Sequence, residues 1–340
     1  MIHAELARAW ATLKADNPKL RIRNAAEHLG VSELDLLLTR LNEGVTWLTL
    51  SAQQLASRLP TLGRVMALVR NDHAVHETSG VFADLKGGEQ VGLFLGEQDQ
   101  RLFFSQWAFF LAVEEDERHS LQVFDASGTA VIKIYRKDDS NVDAWNSLVA
   151  EFAGTLDAAP ALAAVEAHVR QPLSADTEQF RADWQAITDV HQFHGLLKKY
   201  EVDRLSALEA AGADLAERVD VDACETVITA CRDRAIPLMT FVNNKGAVQI
   251  HTAVPQKLLR TGPWFNILDP GFNLHLSTEA IDSAWVIRRP TSDGQVTSLE
   301  AFDAQGRTIV QFFGERREGN AERADWRALM DELSAAEVTA

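Results

Sequence analysis

The sequence predicts an α+β fold: a tandem duplication in which each half has a broad antiparallel β-sheet with flanking helices. Two observations predict this class. Segments of alternating apolar and polar residues stand next to segments of helical periodicity, and one long segment recurs farther along the chain. Because ligands commonly bind in concave spaces between domains, we also expect a ligand cleft between the halves.

Composition and charge restrict the class of protein. The chain has 340 residues, of which 46% are hydrophobic, and it carries a formal net charge of -16. It is therefore long enough for two domains with cores of their own. The charge argues against nucleic acid or an anionic membrane as main partner, because phosphate binding needs a concentrated positive surface. No segment is typical of a signal peptide or a membrane span, so we expect a cytoplasmic protein without stable membrane insertion.

The segment "RNAAEHLGVSELDLLLTRL" predicts two helices joined by a tight turn. Ser32 is expected to cap the second helix, with Asp35 completing a capping box. The pattern is similar to a DNA-binding helix-turn-helix, since any two helices that cross at a tight turn need a glycine at the bend. Glu33 and Asp35 stand where a DNA-reading helix needs Arg, Asn or Gln. We therefore expect a structural helix pair, and a DNA-binding regulator is kept only as a third alternative.

An internal repeat organises the rest of the chain. Residues 107–135 match residues 285–313 without a gap, at a shift of 178. In each copy, alternating residues around an Asp-Ala-x-Gly turn predict an antiparallel hairpin, and a helix that carries Trp145 or Trp326 then closes the copy. The identical pairs are Trp107/Trp285, Ser120/Ser298, Leu121/Leu299, Phe124/Phe302, Asp125/Asp303, Ala126/Ala304 and Gly128/Gly306.

The repeat sets the expected domain boundaries. We expect a first repeat over residues 1–152 and a second over residues 177–340, joined by a linker with a short helix over residues 153–176. Cys224 and Cys231 lie seven residues apart on a predicted helix of the second repeat, so they share one face. Buried free thiols are the expected state of such a pair in a reducing compartment.

Several arginines interrupt apolar, strand-like segments. A guanidinium is costly to bury without a partner, so each of them needs an acidic group nearby. One interpretation is pairing with acidic side chains of the chain itself. The other is an apolar ligand that carries carboxylates and lies against phenylalanine-rich walls. The arginines concerned are Arg101, Arg288, Arg289, Arg316 and Arg317.

The segment "AITDVHQFHGLLKKY", residues 186–200, places two histidines at the start of a predicted helix. Asp189 and Gln192 have the spacing of a capping box, which predicts a helix that begins at Val190. His191 then falls in the first turn, where the helix dipole favours the neutral ring that a metal needs. His191 and His194 lack a carboxylate or cysteine at ligand spacing, so a dedicated zinc site is not expected. The alternative for His191 is a capping or packing role.

Five separated blocks together resemble one known family. They are "TDVHQF" with its following "LLKK", "RLFFSQWA", "FVNNKGAVQIHT", "AWVIRRPTSDGQVTSLE" and "GERREG". Together with the helix pair and the duplication, they extend the resemblance over nearly the whole chain. The family is that of HemS, ChuS, PhuS and HmuS, cytoplasmic haem-handling proteins of bacterial haem uptake, also called hemin-degrading factors.

The resemblance implies that haem binds between the halves and is held mainly by the second. His191 matches the histidine that ligates the iron, and Arg101 matches the arginine that approaches the opposite, distal face. Arg289 and Arg316 match basic positions near the haem propionates. Phe241 matches an aromatic residue of the pocket wall.

The sequence departs from the family pattern at three positions. Arg289 stands where Lys is frequent, Phe313 in the pocket where Tyr is frequent, and Asn243 in place of Gly. These changes concern pocket polarity and local backbone shape. Two more histidines stay open as accessory ligands: His194, and His76, which is otherwise expected to lie on the surface.

The resemblance implies two functions. In the first, the protein degrades haem to release iron; Arg101 hydrogen-bonds the oxygen, and an external partner supplies electrons, because the chain lacks a flavin or nicotinamide fingerprint. In the second, the protein is a non-enzymatic chaperone that delivers intact haem to a separate oxygenase. A haem importer, such an oxygenase and an electron donor are the expected partners.

Overall fold

The structure is a computed structural model that describes residues 2–316 and 319–337. The chain divides into two compact units. The first unit consists of Met1–Arg70, Glu77–Glu166 and Asn244–Gln249, and the second consists of Asn71–His76, Ala167–Asn243 and Ile250–Ala340.

Both units are built from helices and strands. The helices are α1 (Ile2–Asp16), α2 (Ile22–Leu29), α3 (Glu33–Leu38), α4 (Ala52–Arg58), α5 (Val142–Phe152), α6 (Thr177–Gln185), α7 (Gln192–Lys199), α8 (Arg204–Ala211), α9 (Ala223–Asp233) and α10 (Ala324–Glu337). The strands are β1 (Val45–Trp47), β2 (Gly63–Arg70), β3 (Ala74–Val81), β4 (Lys86–Gly87), β5 (Val91–Phe94), β6 (Asp99–Phe103), β7 (Phe109–Glu115), β8 (Arg118–Phe124), β9 (Ala130–Ser140), β10 (Ala216–Val219), β11 (Leu238–Asn243), β12 (Ala247–Ala253), β13 (Leu258–Thr261), β14 (Trp264–Asp269), β15 (Phe272–Ser277), β16 (Ser283–Thr291), β17 (Gly294–Phe302) and β18 (Thr308–Gly314).

The two units repeat the same strand order. The first contains the antiparallel run β1-β7-β8-β9-β2, and the second contains β10-β16-β17-β18-β11. Each run is preceded by a helix pair and followed by a closing helix. The α+β fold and the tandem duplication are thus confirmed, while the ligand cleft stays a prediction.

The strand registers correct the alignment of the two copies. Ser120 lies opposite Tyr135 and Ser298 lies opposite Phe313, which fits the shift of 178 on both strands. One strand earlier, Leu111 lies opposite Gln122, but Trp285 lies opposite Glu300. The shift there is therefore 174, and the pairing of Trp107 with Trp285 is wrong. The cause is a longer second hairpin, since β16 and β17 span nine residues each and β7 and β8 seven.

The predicted hairpin turns are confirmed in both copies. Asp125 Oδ1 accepts hydrogen bonds from the amides of Ser127 and Thr129, at 2.9 and 3.0 Å. Asp303 Oδ1 does the same for the second and fourth residues after it. Gly128 has a φ of 79° and Gly306 a φ of 81°, a conformation that favours glycine.

A capping box starts α3, as predicted. The short helix expected in the linker is wrong. Ser32 and Asp35 form the predicted capping box at the start of α3. Residues 154–176 contain no helix, although a short one is expected there. The backbone of this linker bonds elsewhere, as when the amide of Ala163 donates to the carbonyl of Ala126 at 2.8 Å. These tertiary contacts outweigh the helix propensity of an alanine-rich segment.

Each unit has an apolar core between its sheet and its closing helix. Trp145 of α5 is buried in the first unit and Trp326 of α10 in the second. Cys224 and Cys231 are buried free thiols, as expected, and burial raises the pKa of each to about 12. Within the described residues, no helix combines the length and apolar character needed to cross a membrane.

Candidate functional site

The site is built around the turn that precedes α7. The carboxylate of Asp189 accepts a hydrogen bond from the amide of His191 at 2.7 Å and lies 2.6 Å from the ring Nδ1 of His191. The side chain of Gln192 accepts from the amides of Thr188 and Asp189, at 2.8 and 3.3 Å. The helix begins at Gln192, not at Val190, and His191 is its N-cap residue. The expected start is wrong because Asp189 bonds the amide and ring of His191 instead of capping an amide inside the helix.

The ring of His191 projects into solvent. Its side chain is 85% exposed. Because Asp189 holds Nδ1, the nitrogen that faces outward is Nε2. The pKa of Asp189 is lowered, first by the amide of His191 and then by its ring. A histidine whose other nitrogen is held by a carboxylate is the usual arrangement for a metal ligand, because the hydrogen bond fixes both tautomer and ring orientation.

The inner face of α7 packs on aromatic and cationic groups. Phe193 is buried, and its ring centroid lies 4.5 Å from that of Trp184. The guanidinium carbons of Arg289 and Arg204 lie 4.7 and 5.2 Å from the Phe193 centroid. Such cation–π contacts are strongest when the cation is shielded from water. The residue two positions after His191 is thus held between a tryptophan and two guanidinium groups.

Both guanidinium groups belong to a buried cluster on a single carboxylate. Arg204 binds Glu300 through two hydrogen bonds, from Nε at 2.6 Å and from Nη2 at 2.7 Å. Arg289 donates to Glu300 at 2.6 Å and to Ser298 at 3.0 Å, and Ser298 donates to Glu300 at 3.0 Å. Burial raises the pKa of Glu300, but the two arginines outweigh it and the pKa is lowered. This Glu300 cluster (Arg204, Arg289, Ser298 and Glu300) carries one net positive charge.

The structure brings three of the expected pocket residues together. The Phe313 ring lies 5.0 Å from that of Phe241 and 5.9 Å from the guanidinium carbon of Arg289. Arg289 is only 2% exposed, and its partners are the carboxylate of Glu300 and the hydroxyl of Ser298. The interpretation of pairing within the chain therefore describes Arg289.

The charge of Arg316 acts on Asp189, just before the start of α7. Its guanidinium contributes to the lowered pKa of Asp189. Its Nε is buried and has no hydrogen-bond partner among the residues that the structure describes. Arg317 falls outside those residues. A cation within electrostatic range of Asp189 fits the expected place for an acidic group of a ligand.

Two other expected residues lie on strands β6 and β3. Arg101 is in the first unit, on β6 opposite Leu93, and its guanidinium forms an ion pair with Asp99. His76 is fully buried, so its expected surface position is wrong. Its ring lies 4.9 Å from that of Phe272, and burial lowers its pKa well below the ordinary value. The cause is that β3 enters the core at this point.

Comparison with known proteins decides the family. Residues 30–152 and residues 201–333 each match the model of the haemin-degrading HemS.ChuX domain. The chain belongs to this family. Two matches in one chain agree with the duplication, and the second match includes α8, β16 and Glu300.

Relatives of the HemS.ChuX family match almost end to end. The hemin transport protein HemS of Yersinia enterocolitica is 37% identical over 337 residues, which cover 96% of each chain. Apo-PhuS, a heme-binding protein from Pseudomonas aeruginosa, is 40% identical with a TM-score of 0.93, and the match covers 97% of this chain and 99% of that one. The heme degrading enzyme ChuS of Escherichia coli O157:H7 is 35% identical with the same TM-score and coverage.

Sequence reasoning missed the centre of the Glu300 cluster. Neither Arg204 nor Glu300 stands out in a single copy, because acidic and basic residues are common in the chain. The available signal was the comparison of copies at the shift of 178, where the charged Glu300 replaces the neutral Gln122 in an apolar strand. No group of three or more His, Cys, Asp or Glu side chains in the described ranges has the geometry of a metal site.

Proposed function

We propose that this chain is a haem-binding protein of bacterial haem uptake and iron acquisition, that it works in the cytoplasm, and that Nε2 of His191 ligates the haem iron. The observation that supports this most is the exposed His191 ring, whose Nδ1 is held by Asp189 at 2.6 Å. That arrangement leaves an oriented nitrogen directed at solvent. An axial histidine oriented in this way is a common haem ligand.

The residues around His191 fit the rest of a haem molecule. Haem presents a flat apolar face and two carboxylates, so it needs aromatic walls and cationic groups. Phe241 and Phe313 pack against each other in the same unit. The net positive charge of the Glu300 cluster and the guanidinium of Arg316 complement the propionates. These residues thus supply the nitrogen donor, the aromatic surface and the positive charge that haem needs.

As an enzyme, the protein would take haem as its substrate and open the macrocycle to release iron. That reaction consumes O₂ and electrons, and the electrons must come from an external donor. Arg101, in the first unit, is proposed as the hydrogen-bond donor on the distal side. Its guanidinium is bound to Asp99 in this structure, so the proposed role requires it to exchange that partner.

A chaperone role is the second candidate. The 85% exposure of the His191 side chain favours it, because a ligand bound at an exposed residue is accessible for transfer to another protein. Relatives carry names of both kinds, a heme degrading enzyme and a heme-binding protein. In this role the haem stays intact and passes to a separate oxygenase.

A single-turnover experiment separates the two functions. The haem complex is mixed with an electron donor under air, with catalase present to remove free peroxide. Loss of the Soret band with stoichiometric release of an open tetrapyrrole supports the enzyme. An unchanged spectrum, followed by transfer of intact haem to an added oxygenase, supports the chaperone. Arg101→Ala should slow only the first reaction.

The binding proposal has its own control. His191→Ala should lose the histidine-ligated absorption spectrum. His28→Ala is the matched control, since His28 is also an exposed histidine, on the corresponding helix α2 of the first unit. A His191→Ala spectrum identical to that of the unaltered protein would contradict the proposal.

A further inference from the structure

Each unit ties its helix pair to its sheet by a buried ion pair, and the two ion pairs have opposite polarity. In the first unit, Glu33 is the first residue of α3 and binds Lys133 of β9 at 2.6 Å. In the second unit, Arg204 is the first residue of α8 and binds Glu300 of β17 at 2.6 Å. The helix supplies the anion in one copy and the cation in the other.

The registers show that the same cross-strand position is used. Gln122 lies opposite Lys133 in the first unit, and Glu300 lies opposite Gln311 in the second. In the first unit β8 carries the amide and β9 the charge, whereas in the second β17 carries the charge and β18 the amide. The duplicated fold therefore needs an ion pair at this place but does not dictate its sign. Folding alone gives no reason for the reversal.

The reversal has a consequence only in the second unit. It places the carboxylate at 0% exposure and the partner guanidinium of Arg204 at 27% exposure. It also adds a second cation, because Arg289 stands at the register position that Glu115 has in the first unit. Both cations contact Phe193, two residues after His191. The positive charge thus lies against the buried face of α7, the helix that follows the proposed iron ligand.

We propose that Glu300 is a positioning residue of this site, which holds Arg204 and Arg289 so that the second unit selects a ligand with carboxylate groups. The inference rests on the proposed function, and the ligand class is an acidic, flat, apolar molecule. Glu300 and Arg289 do not touch the ligand, since they are 0% and 2% exposed, so the contact falls to Arg204, which is 27% exposed.

The hydrogen bonds explain how Glu300 acts. Its two bonds to Arg204 use Nε and Nη2, which fixes the guanidinium plane. Among the described residues, Nη1 of Arg204 donates no hydrogen bond, so one side of the guanidinium is left to donate to a ligand. An amide at position 300 has one acceptor oxygen and two N–H donors, so it cannot hold both guanidinium groups in this way.

The experiment compares two probes on the full chain: haem, and the dimethyl ester of haem, in which both propionates are blocked. We expect the unaltered protein to prefer haem. Glu300→Gln should reduce that preference about tenfold, the loss of one charged hydrogen bond, with ester affinity unchanged. Glu300→Asp, which keeps the charge, should retain more of the preference. Glu332→Gln is the matched control, because it removes a two-bond partner of Arg234 on the surface.

The outcomes distinguish this inference from the proposed function. If the unaltered protein binds neither probe, the proposed function fails and the inference with it. If it binds haem and Glu300→Gln keeps the full preference, only the inference is overturned. If Glu300→Gln does not fold, Glu300→Asp decides, because it keeps the charge but is one methylene shorter and cannot hold both guanidinium groups at their present distances. That variant should show a smaller loss of preference, and an unchanged preference in it overturns the inference.

Discussion

Asp189 and His191 form a carboxylate–imidazole pair, 2.6 Å from Oδ1 to Nδ1, at the exposed start of α7. The pair joins residues two positions apart, and the same carboxylate accepts from the amide of His191. Backbone and ring are therefore fixed by one side chain. This relationship turns an otherwise mobile surface histidine into an oriented donor.

Asp189→Asn tests what the pair contributes to binding. An amide is a weaker acceptor than a carboxylate, so Nε2 becomes less basic and the ring less well oriented. Loss of such a partner typically lowers metal affinity about tenfold or more. We expect a drop of that size in haem affinity, measured by displacement titration. An affinity equal to that of the unaltered protein would show that the carboxylate does not contribute to haem binding. Asp214→Asn, at another exposed aspartate, serves as control.

The buried ion pair of the first unit makes a separate stability prediction. Lys133→Met leaves the buried carboxylate of Glu33 without its closest partner, at a cost of about 3 kcal/mol in the free energy of unfolding. Lys14→Met, which breaks an exposed pair with Glu115, should cost less than about 1 kcal/mol. Denaturant unfolding measures both.

The double variant Glu33→Gln with Lys133→Met extends that test. Because it removes both charges, it should recover most of the loss seen in the single variant. If it is as unstable as Lys133→Met, the cost comes from lost packing and not from the unpaired carboxylate.

The histidines of the second unit predict a pH dependence. Burial lowers the pKa of His251 to about 4, and its ring stacks on Phe272 at 4.0 Å. The folded state therefore resists a proton that the unfolded state accepts near pH 6.5. The contribution of His251 to the free energy of unfolding is therefore fully present above about pH 6.5. It falls as the pH drops from about 6.5 to about 4, with a slope of up to about 1.4 kcal/mol per pH unit.

His251→Phe should flatten this part of the curve while keeping the stacked ring. The measurement is the free energy of unfolding at several pH values between 4 and 7. A variant curve parallel to that of the unaltered protein would show that His251 does not cause the slope. His168→Phe, in the linker, is a control for an exposed histidine.

The sequence predicts the fold well because its signals are local or repeated. Periodicity, caps and the recurrent Asp-Ala-x-Gly turn predict helices, hairpins and the duplication. The pairing of Trp107 with Trp285 fails because an ungapped alignment does not register two extra residues in each strand of the longer hairpin. The predicted helix start at Val190 is wrong because the Asp189 side chain bonds the amide and the ring of His191 and not an amide inside the helix.

The site is less predictable because burial is a tertiary property. The resemblance indicates His191, and the structure shows how Asp189 orients it. The pairing of Arg289 with Glu300 depends on the register of two strands. The pairing of Arg204 with Glu300 joins residues that are 96 positions apart in the sequence. His76 reads as a surface residue because its segment is polar, yet its strand enters the core.

Haem binding as proposed depends on ligation of the iron by Nε2 of His191. Resonance Raman spectroscopy of the ferrous complex tests it most directly, through the iron–histidine stretching band. We expect this band in the unaltered protein, a shift to lower frequency in Asp189→Asn because the ligand is less basic, and its loss in His191→Ala. A band that persists unshifted in both variants would contradict the claim.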